Sequence, residues 1–150
     1  MTDKLSLPDE SLMLSTDFIY GVATASFQIE GGANDRLPCI WDTFCNTSGK
    51  VIDGSNGLVA CDHYNLWQQD IELIDSLGVD AYRLSISWPR VIKETGELNQ
   101  EGVNYYLAIL DRLQAKNIKA FVTLYHWDLP QYLEDNGGWL NRETAYRFQD

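Results

Sequence analysis

The chain is poor in cysteine, and it has no long hydrophobic run. Its three cysteines, Cys39, Cys45 and Cys61, lack Cys-x-x-Cys spacing, which argues against a disulfide framework and against a zinc site. We expect all three to be buried free thiols. No segment approaches the roughly 20 apolar residues that span a bilayer, and residues 1–10 are charged and interrupted by Pro8, without the apolar core of a signal peptide. These absences predict a cytoplasmic protein.

Basic residues are also scarce. Eleven Lys and Arg against 22 Asp and Glu give a net charge of −11, which repels nucleic acid phosphates and anionic membrane surfaces. We therefore expect a neutral ligand and no nucleic-acid or membrane partner. The two histidines, His63 and His126, do not stand at helical metal-ligand spacing, and no glycine-rich loop has the form that cradles phosphates. We expect His63 to cap or pack at the start of a helix.

The chain has enough apolar residues for a hydrophobic core, because 45% of its residues are apolar and 12% are aromatic. After a polar lead of residues 1–17, strands are predicted over residues 18–24, 79–87 and 119–125. Helices are predicted from Asp62 to Gly78, from Asn99 to Asn117, from Pro130, where Asp128 would cap the start, and from Asn141 to the last residue. Strands that alternate with helices predict an α/β fold with a parallel sheet and right-handed crossovers.

Apolar residues recur at spacings of three and four in the two longest predicted helices, which is typical of helices with one buried face. The expected core-facing residues are Tyr64, Trp67, Ile71, Ile74 and Leu77 in the first, and Val103, Tyr106, Leu107, Leu110 and Leu113 in the second.

Polar side chains lie at the ends of all three predicted strands, with Ser87 and Trp88 at the end of the second. Gln28 lies in the expected loop after the first strand, and His126 and Trp127 follow the third. Parallel strands bring their carboxyl ends to one edge of the sheet, where α/β folds place ligand contacts. An amide, an imidazole and an indole suit the hydroxyl edges and C–H faces of a pyranose, whereas packing is the alternative for each of them alone.

Three charged side chains near this edge allow more than one interpretation. Arg83 lies in the second strand, where it could hold a catalytic carboxylate ionised inside a barrel or form a structural ion pair with Asp80 or with a residue outside the chain. Glu30 and Asp42 could be proposed as a general acid and base. We expect them to brace loops instead, because nothing in the sequence fixes their separation.

Several blocks, taken in order, resemble one known family. They are FIYGVATASFQIEG (residues 18–31), IWDTF (40–44), ACDHY (60–64), YRLSISWPR (82–90), VTLYHWDL (122–129) and GGWLNR (137–142). Together they resemble the N-terminal portion of glycoside hydrolase family 1, the retaining β-glucosidases. The resemblance implies a (β/α)8 TIM barrel of which this chain supplies about the first three βα units. Residues 18–150 would then be the N-terminal part of a single domain, incomplete at its C-terminus, with the edge for a fourth strand exposed.

The resemblance also implies roles for particular residues. Gln28, His126 and Trp127 resemble the hydrogen-bonding residues for the glycone sugar, and Arg83 resembles the arginine that supports the catalytic carboxylates. The family's acid/base glutamate belongs to a Thr-Phe-Asn-Glu-Pro block and its nucleophile to a Thr-Glu-Asn-Gly block, and neither block occurs in these 150 residues. Residues 134–137 are only superficially similar to the second block. No catalytic residue, metal ion or organic cofactor is therefore expected in this chain.

The function implied by the resemblance is hydrolysis of terminal β-linked glucosides with retention of configuration in the complete protein. The isolated chain is expected to be inactive, because hydrolysis of this kind needs both a proton donor and a nucleophile. Two alternatives stay open: a 6-phospho-β-glucosidase, and a non-catalytic sugar-binding or interaction protein that derives from the family. A dinucleotide-binding domain is excluded, because no glycine-rich turn leads from the first strand into a helix. The sequence does not predict an oligomeric state.

Overall fold

A computed structural model describes residues 6–149, and its centre is a parallel sheet of three strands. The strands are β1 (Gly21–Ala23), β2 (Ala81–Ser85) and β3 (Lys119–Thr123), paired in the order β1-β2-β3. In the register, Ala81 faces Gly21 on one side and Lys119 on the other. The predicted parallel sheet is therefore confirmed, and its strands lie in sequence order.

Helices connect and cover the strands. The α-helices are α1 (Ser26–Ile29), α2 (Ile40–Asn46), α3 (His63–Ser76), α4 (Trp88–Val91), α5 (Gln100–Ala115), α6 (Gln131–Asp135) and α7 (Arg142–Gln149). Short 3-10 turns occupy Leu12–Leu14, Ala33–Asp35 and Gly138–Leu140. Two predicted segments extend beyond the described part of the chain, since residues 1–5 of the polar lead and Asp150 at the end of the last helix lie outside it.

Strand β1 is shorter than the predicted span of residues 18–24, and the cause is Asp80. A carboxylate oxygen of Asp80 accepts a hydrogen bond from the backbone N–H of Tyr20 at 2.8 Å, and the Tyr20 carbonyl accepts from the N–H groups of Asp80 and Ala81. Because of these contacts, the regular pairing of β1 with β2 begins only at Gly21. A Cβ at Gly21 would lie 2.9 Å from the Ala81 carbonyl oxygen, so glycine permits the close approach of the two strands.

Helices α3 and α5 pack together against the sheet and form the main core. Its buried members are Ile71, Ile74, Tyr82, Leu84, Tyr105, Tyr106, Ile109, Leu113 and Ile118. The prediction that Leu77 and Leu107 face this core is wrong, because they are 58% and 50% exposed. The buried stripe of α5 runs through Tyr105 and Ile109, and Leu107 lies on the far side of that turn.

The free edge of β3 is apolar and open. Phe121 and Val122 within the strand and Leu124 just after it are all exposed, Leu124 to 66%. Strand β2 is buried at four of its five positions, whereas no residue of β3 is buried. The exposed edge for a fourth strand is therefore as expected. Such an edge presents unpaired backbone groups that another strand would satisfy.

Two local predictions fail. The residue before the first turn of α6 is Pro130, and the side chain of Asp128 does not cap this helix but accepts a hydrogen bond from Ser26. The three cysteines are free, as predicted, but only Cys39 is buried, and Cys61 is exposed. Burial raises the pKa of the Cys39 thiol to about 12, which keeps it protonated and unreactive. Within residues 6–149, no helix has the length and apolar character needed to cross a membrane.

Candidate active-site rim

The residues predicted to contact a ligand leave the sheet at one edge. Gln28 lies on α1, which follows β1 directly, and its side chain is exposed. Gln28 is therefore helical, whereas the sequence predicted a position in a loop. His126 and Trp127 are half-buried in the segment that follows β3. Because β1 and β3 flank β2 in a parallel sheet, both segments start from the carboxyl edge. We call the carboxyl edge with Gln28, Arg83, His126 and Trp127 the rim.

Arg83 connects β2 to the segment after β3. Its Nε donates to Thr123 Oγ1 at 2.8 Å, and its Nη2 lies 3.5 Å from His126 Nδ1. The alternative of an ion pair with Asp80 does not hold, because the Asp80 carboxylate binds the backbone of Tyr20. A guanidinium N–H that faces Nδ1 favours the imidazole tautomer with its proton on Nε2. That tautomer leaves Nε2 of His126 as a hydrogen-bond donor.

Trp127 is held by Trp41 of α2. The indole Nε1 of Trp41 donates to the Trp127 carbonyl oxygen at 3.1 Å, and the two indole rings meet edge to face with centroids 6.0 Å apart. The His126 and Trp127 rings lie 4.3 Å apart. Within residues 6–149, the Nε1 of Trp127 is buried and has no hydrogen-bond partner. This donor is therefore not used by the described part of the protein, and solvent does not reach it in this arrangement.

Beneath the rim lies a group of three buried polar side chains that the sequence analysis did not assign to the site. Ser26, Ser85 and Asp128 are each no more than 2% exposed. The Ser26 backbone N–H donates to Ser85 Oγ at 2.8 Å, Ser85 Oγ donates to Ser26 Oγ at 3.1 Å, and Ser26 Oγ donates to Asp128 Oδ2 at 2.9 Å. The signal in the sequence is a hydroxyl or carboxyl group two positions from Gln28, Arg83 and His126.

Glu30 and Asp42 brace loops, as expected. Glu30 is buried, and it accepts hydrogen bonds from Arg90 Nε at 2.9 Å and from the Tyr106 hydroxyl. Burial raises the pKa of Glu30, and the Arg90 charge and the Tyr106 hydrogen bond oppose that rise. Asp42 accepts two hydrogen bonds from Arg36. Burial alone would raise the pKa of Asp42, but these bonds hold it below its ordinary value.

The larger cavities do not coincide with the rim. Three cavities of about 320 to 360 Å3 lie against the outer helices, and none of the three is lined by Gln28, His126 or Trp127. Two of them share Tyr132 and Arg147, and the third lies beside Trp67. None of these three cavities therefore includes the rim.

Solved structures match this arrangement over most of the chain. The GH1 β-glucosidase from Exiguobacterium antarcticum B7 superposes with a TM-score of 0.85 and 50% sequence identity, covering 89% of this chain and 30% of that one. The family 1 β-glucosidase from Thermotoga maritima gives a TM-score of 0.83 and 52% identity, covering 89% of this chain and 31% of that one. The fold is therefore part of a (β/α)8 barrel, as the resemblance implied.

Sequence relatives agree with the structural matches. The β-glucosidase of Agrobacterium sp. is 52% identical over 136 residues, and β-glucosidase A of Thermotoga maritima is 55% identical over 136 residues. Each alignment covers 89% of this chain, which spans about 30% of the length of the curated relatives that it matches. The model of the family described as Glycosyl hydrolase family 1 matches residues 11–150. The chain belongs to glycosyl hydrolase family 1.

Proposed function

We propose that this chain forms the glycone-binding part of a β-glucosidase that hydrolyses terminal β-linked glucosides with retention of configuration. Family membership and β-glucosidase relatives at about 50% identity support the reaction. The observation that carries the assignment of residues is the contact of Arg83 with His126 across β2 and β3. It orients the imidazole and leaves its Nε2 as a donor at the carboxyl edge of the sheet.

In this proposal, each rim residue contributes a different kind of contact to the sugar. Gln28 is exposed on α1, and its amide can donate to one hydroxyl and accept from the next. His126 donates from Nε2. Trp127 offers an apolar ring face to the C–H groups of the sugar. These groups recognise a neutral polyhydroxyl ring, which agrees with a chain of net charge −11 that repels anionic ligands.

Arg83 has a positioning role in this proposal. Its guanidinium is half-buried and bonded to Thr123, so its charge is fixed at the base of the rim. A fixed positive charge favours the ionised form of a nearby carboxylate. The family resemblance places both catalytic glutamates in sequence blocks that these 150 residues do not contain. The chain would therefore supply sugar contacts and an electrostatic support, and the reacting carboxylates would come from the rest of a complete barrel, about 5–5.5 Å apart.

The experiment is a graft into a complete enzyme. Residues 11–150 replace the matching segment of β-glucosidase A from Thermotoga maritima, and the kcat/KM of the chimera is measured with a chromogenic β-glucoside. We expect hydrolysis by the chimera. Gln28→Ala and His126→Ala are each expected to lower kcat/KM by roughly 10- to 100-fold, because each removes a hydrogen bond to the sugar.

Gln68→Ala is the matched control, because Gln68 is also an exposed helical glutamine but lies on α3. It should leave kcat/KM unchanged. An active chimera in which Gln28→Ala and His126→Ala both stay within about twofold of the parent would show that the rim does not contact the sugar, and the proposal would fail.

No observation on residues 6–149 favours the 6-phospho-β-glucosidase or the non-catalytic alternative over this function. The cytoplasmic location and the lack of nucleic-acid and membrane partners stay predictions from the sequence. A division at residue 18, between a polar lead and the barrel domain, likewise stays a proposal.

A further inference from the structure

The buried group beneath the rim connects three consecutive β/α units. Ser26 begins α1 after β1, Ser85 is the last residue of β2, and Asp128 follows β3. The three hydrogen bonds form one chain of donors and acceptors. The Ser26 backbone N–H donates to the Ser85 hydroxyl, the Ser85 hydroxyl donates to the Ser26 hydroxyl, and the Ser26 hydroxyl donates to Asp128 Oδ2. Each hydroxyl therefore donates its single proton once, and Asp128 is the final acceptor.

Each member of this group stands two residues from a rim residue. Ser26 precedes Gln28, Ser85 follows Arg83, and Asp128 follows His126. Residues two apart on a strand share a face, so Ser85 and Arg83 point to the same side of β2. In α1 the same spacing turns Ser26 inward, where it is buried, and leaves Gln28 exposed. The group thus connects the backbone segments that carry Gln28, Arg83 and His126.

Asp128 makes fewer side-chain hydrogen bonds within this group than Ser26 or Ser85 does. Its carboxylate is 1% exposed, and within residues 6–149 its Oδ1 accepts no hydrogen bond. The bond from Ser26 to Oδ2 is therefore the side-chain contact that fixes Asp128 against α1. A hydrogen bond in a buried site is electrostatically stronger than the same bond in water.

We propose that Asp128 is a positioning residue that, through Ser26 and Ser85, sets the distance between Gln28 and His126 across the sugar. The proposal rests on the function proposed above. The carboxylate itself does not touch the sugar, because it is buried beneath the rim. A displacement of about 1 Å at a residue that contacts the substrate can cost roughly 100-fold in rate, so a small shift of α1 against the segment after β3 has a measurable effect.

The test is a double-mutant cycle in the chimera described above, with active sites counted from the burst of product in the first turnover. Counting active sites removes differences in the amount of folded protein. Ser26→Ala is expected to lower kcat/KM per active site by about 10-fold in the parent and by about threefold or less in the Gln28→Ala background, because part of its effect acts through Gln28. Asp128→Ala should behave like Ser26→Ala.

Two further variants separate positioning from general stability. Asp128→Asn keeps an acceptor oxygen for Ser26 and is expected to stay within about threefold of the parent. Thr144→Ala is the matched control, because the Thr144 hydroxyl is also buried and hydrogen-bonded but lies on α7, outside the group. It should change neither kcat/KM nor the coupling to Gln28.

The outcomes distinguish this inference from the proposed function. If Gln28→Ala causes no loss in an active chimera, the proposed sugar contact is wrong, and the inference is wrong with it. If Gln28→Ala causes the expected loss but Ser26→Ala lowers kcat/KM per active site by the same factor in both backgrounds, the positioning role alone is refuted. Equal losses for Asp128→Asn and Asp128→Ala would also refute it, since the acceptor oxygen would then not matter.

Discussion

The 150-residue chain on its own is expected to hydrolyse a chromogenic β-glucoside no faster than buffer does. Retaining hydrolysis needs one carboxyl group as acid and base and a second as nucleophile. The carboxylates nearest the rim are already bound by the protein: Glu30 by Arg90 and Tyr106, Asp42 by Arg36 and Cys39, and Asp128 by Ser26. A carboxylate held in this way is not placed to attack a sugar carbon or to protonate a leaving group.

The measurement is release of the chromophore by the purified chain at high concentration, with the active chimera as positive control. The expected difference in rate is large, because glycosidases work many orders of magnitude faster than the uncatalysed reaction. Turnover that disappears with Gln28→Ala or His126→Ala would contradict the account, since the rim would then belong to a site that is complete within this chain.

Arg90→Ala is expected to destabilise the fold by about 3–5 kcal/mol, because it leaves the buried Glu30 carboxylate without its partner. Arg90 is fully buried, and it also donates from Nη2 to the Gly31 carbonyl at 2.9 Å. Its guanidinium lies 4.0 Å from the Tyr64 ring centroid. One side chain therefore connects α1 and α3 to α4. The free energy of unfolding in urea measures the loss, which is a large part of the stability of an ordinary domain.

Two comparison variants make this prediction specific. Lys116→Ala removes ion pairs to Glu72 and Asp75 of α3, but both carboxylates are exposed, so a much smaller loss is expected. The double variant Arg90→Met with Glu30→Leu replaces the buried pair by apolar groups and should lose less than Arg90→Ala alone. Equal unfolding midpoints for Arg90→Ala and Lys116→Ala would contradict the account of the buried pair.

The parallel sheet could be predicted from the sequence, because apolar runs that alternate with amphipathic helices leave few arrangements other than a parallel sheet. The first and last residues of the strands and helices could not be predicted in this way. Strand β1 starts later than predicted because a carboxylate 60 residues away, on Asp80, binds the backbone of Tyr20. Helix α5 presents Tyr105 and Ile109 to the core and leaves Leu107 exposed. Which face is buried depends on how α5 packs against α3 and the sheet.

For the site, the common edge of Gln28 and His126 followed from the parallel sheet. The contact of Arg83 with His126 needed the register of β2 against β3, because the two residues are 43 positions apart. The group of Ser26, Ser85 and Asp128 was missed for the same reason. Its hydrogen bonds join residues 59 and 102 positions apart, and no local pattern reports such pairs.

The central claim is that Gln28 and His126 hold the same sugar ring at the carboxyl edge of the sheet. The most direct measurement is a crystal structure of the chimera with bound glucose. The account predicts that the Gln28 amide and the His126 Nε2 each lie within about 3.2 Å of a hydroxyl oxygen of one ring. A glucose molecule that binds elsewhere in the barrel, with neither side chain in hydrogen-bond range, would contradict it.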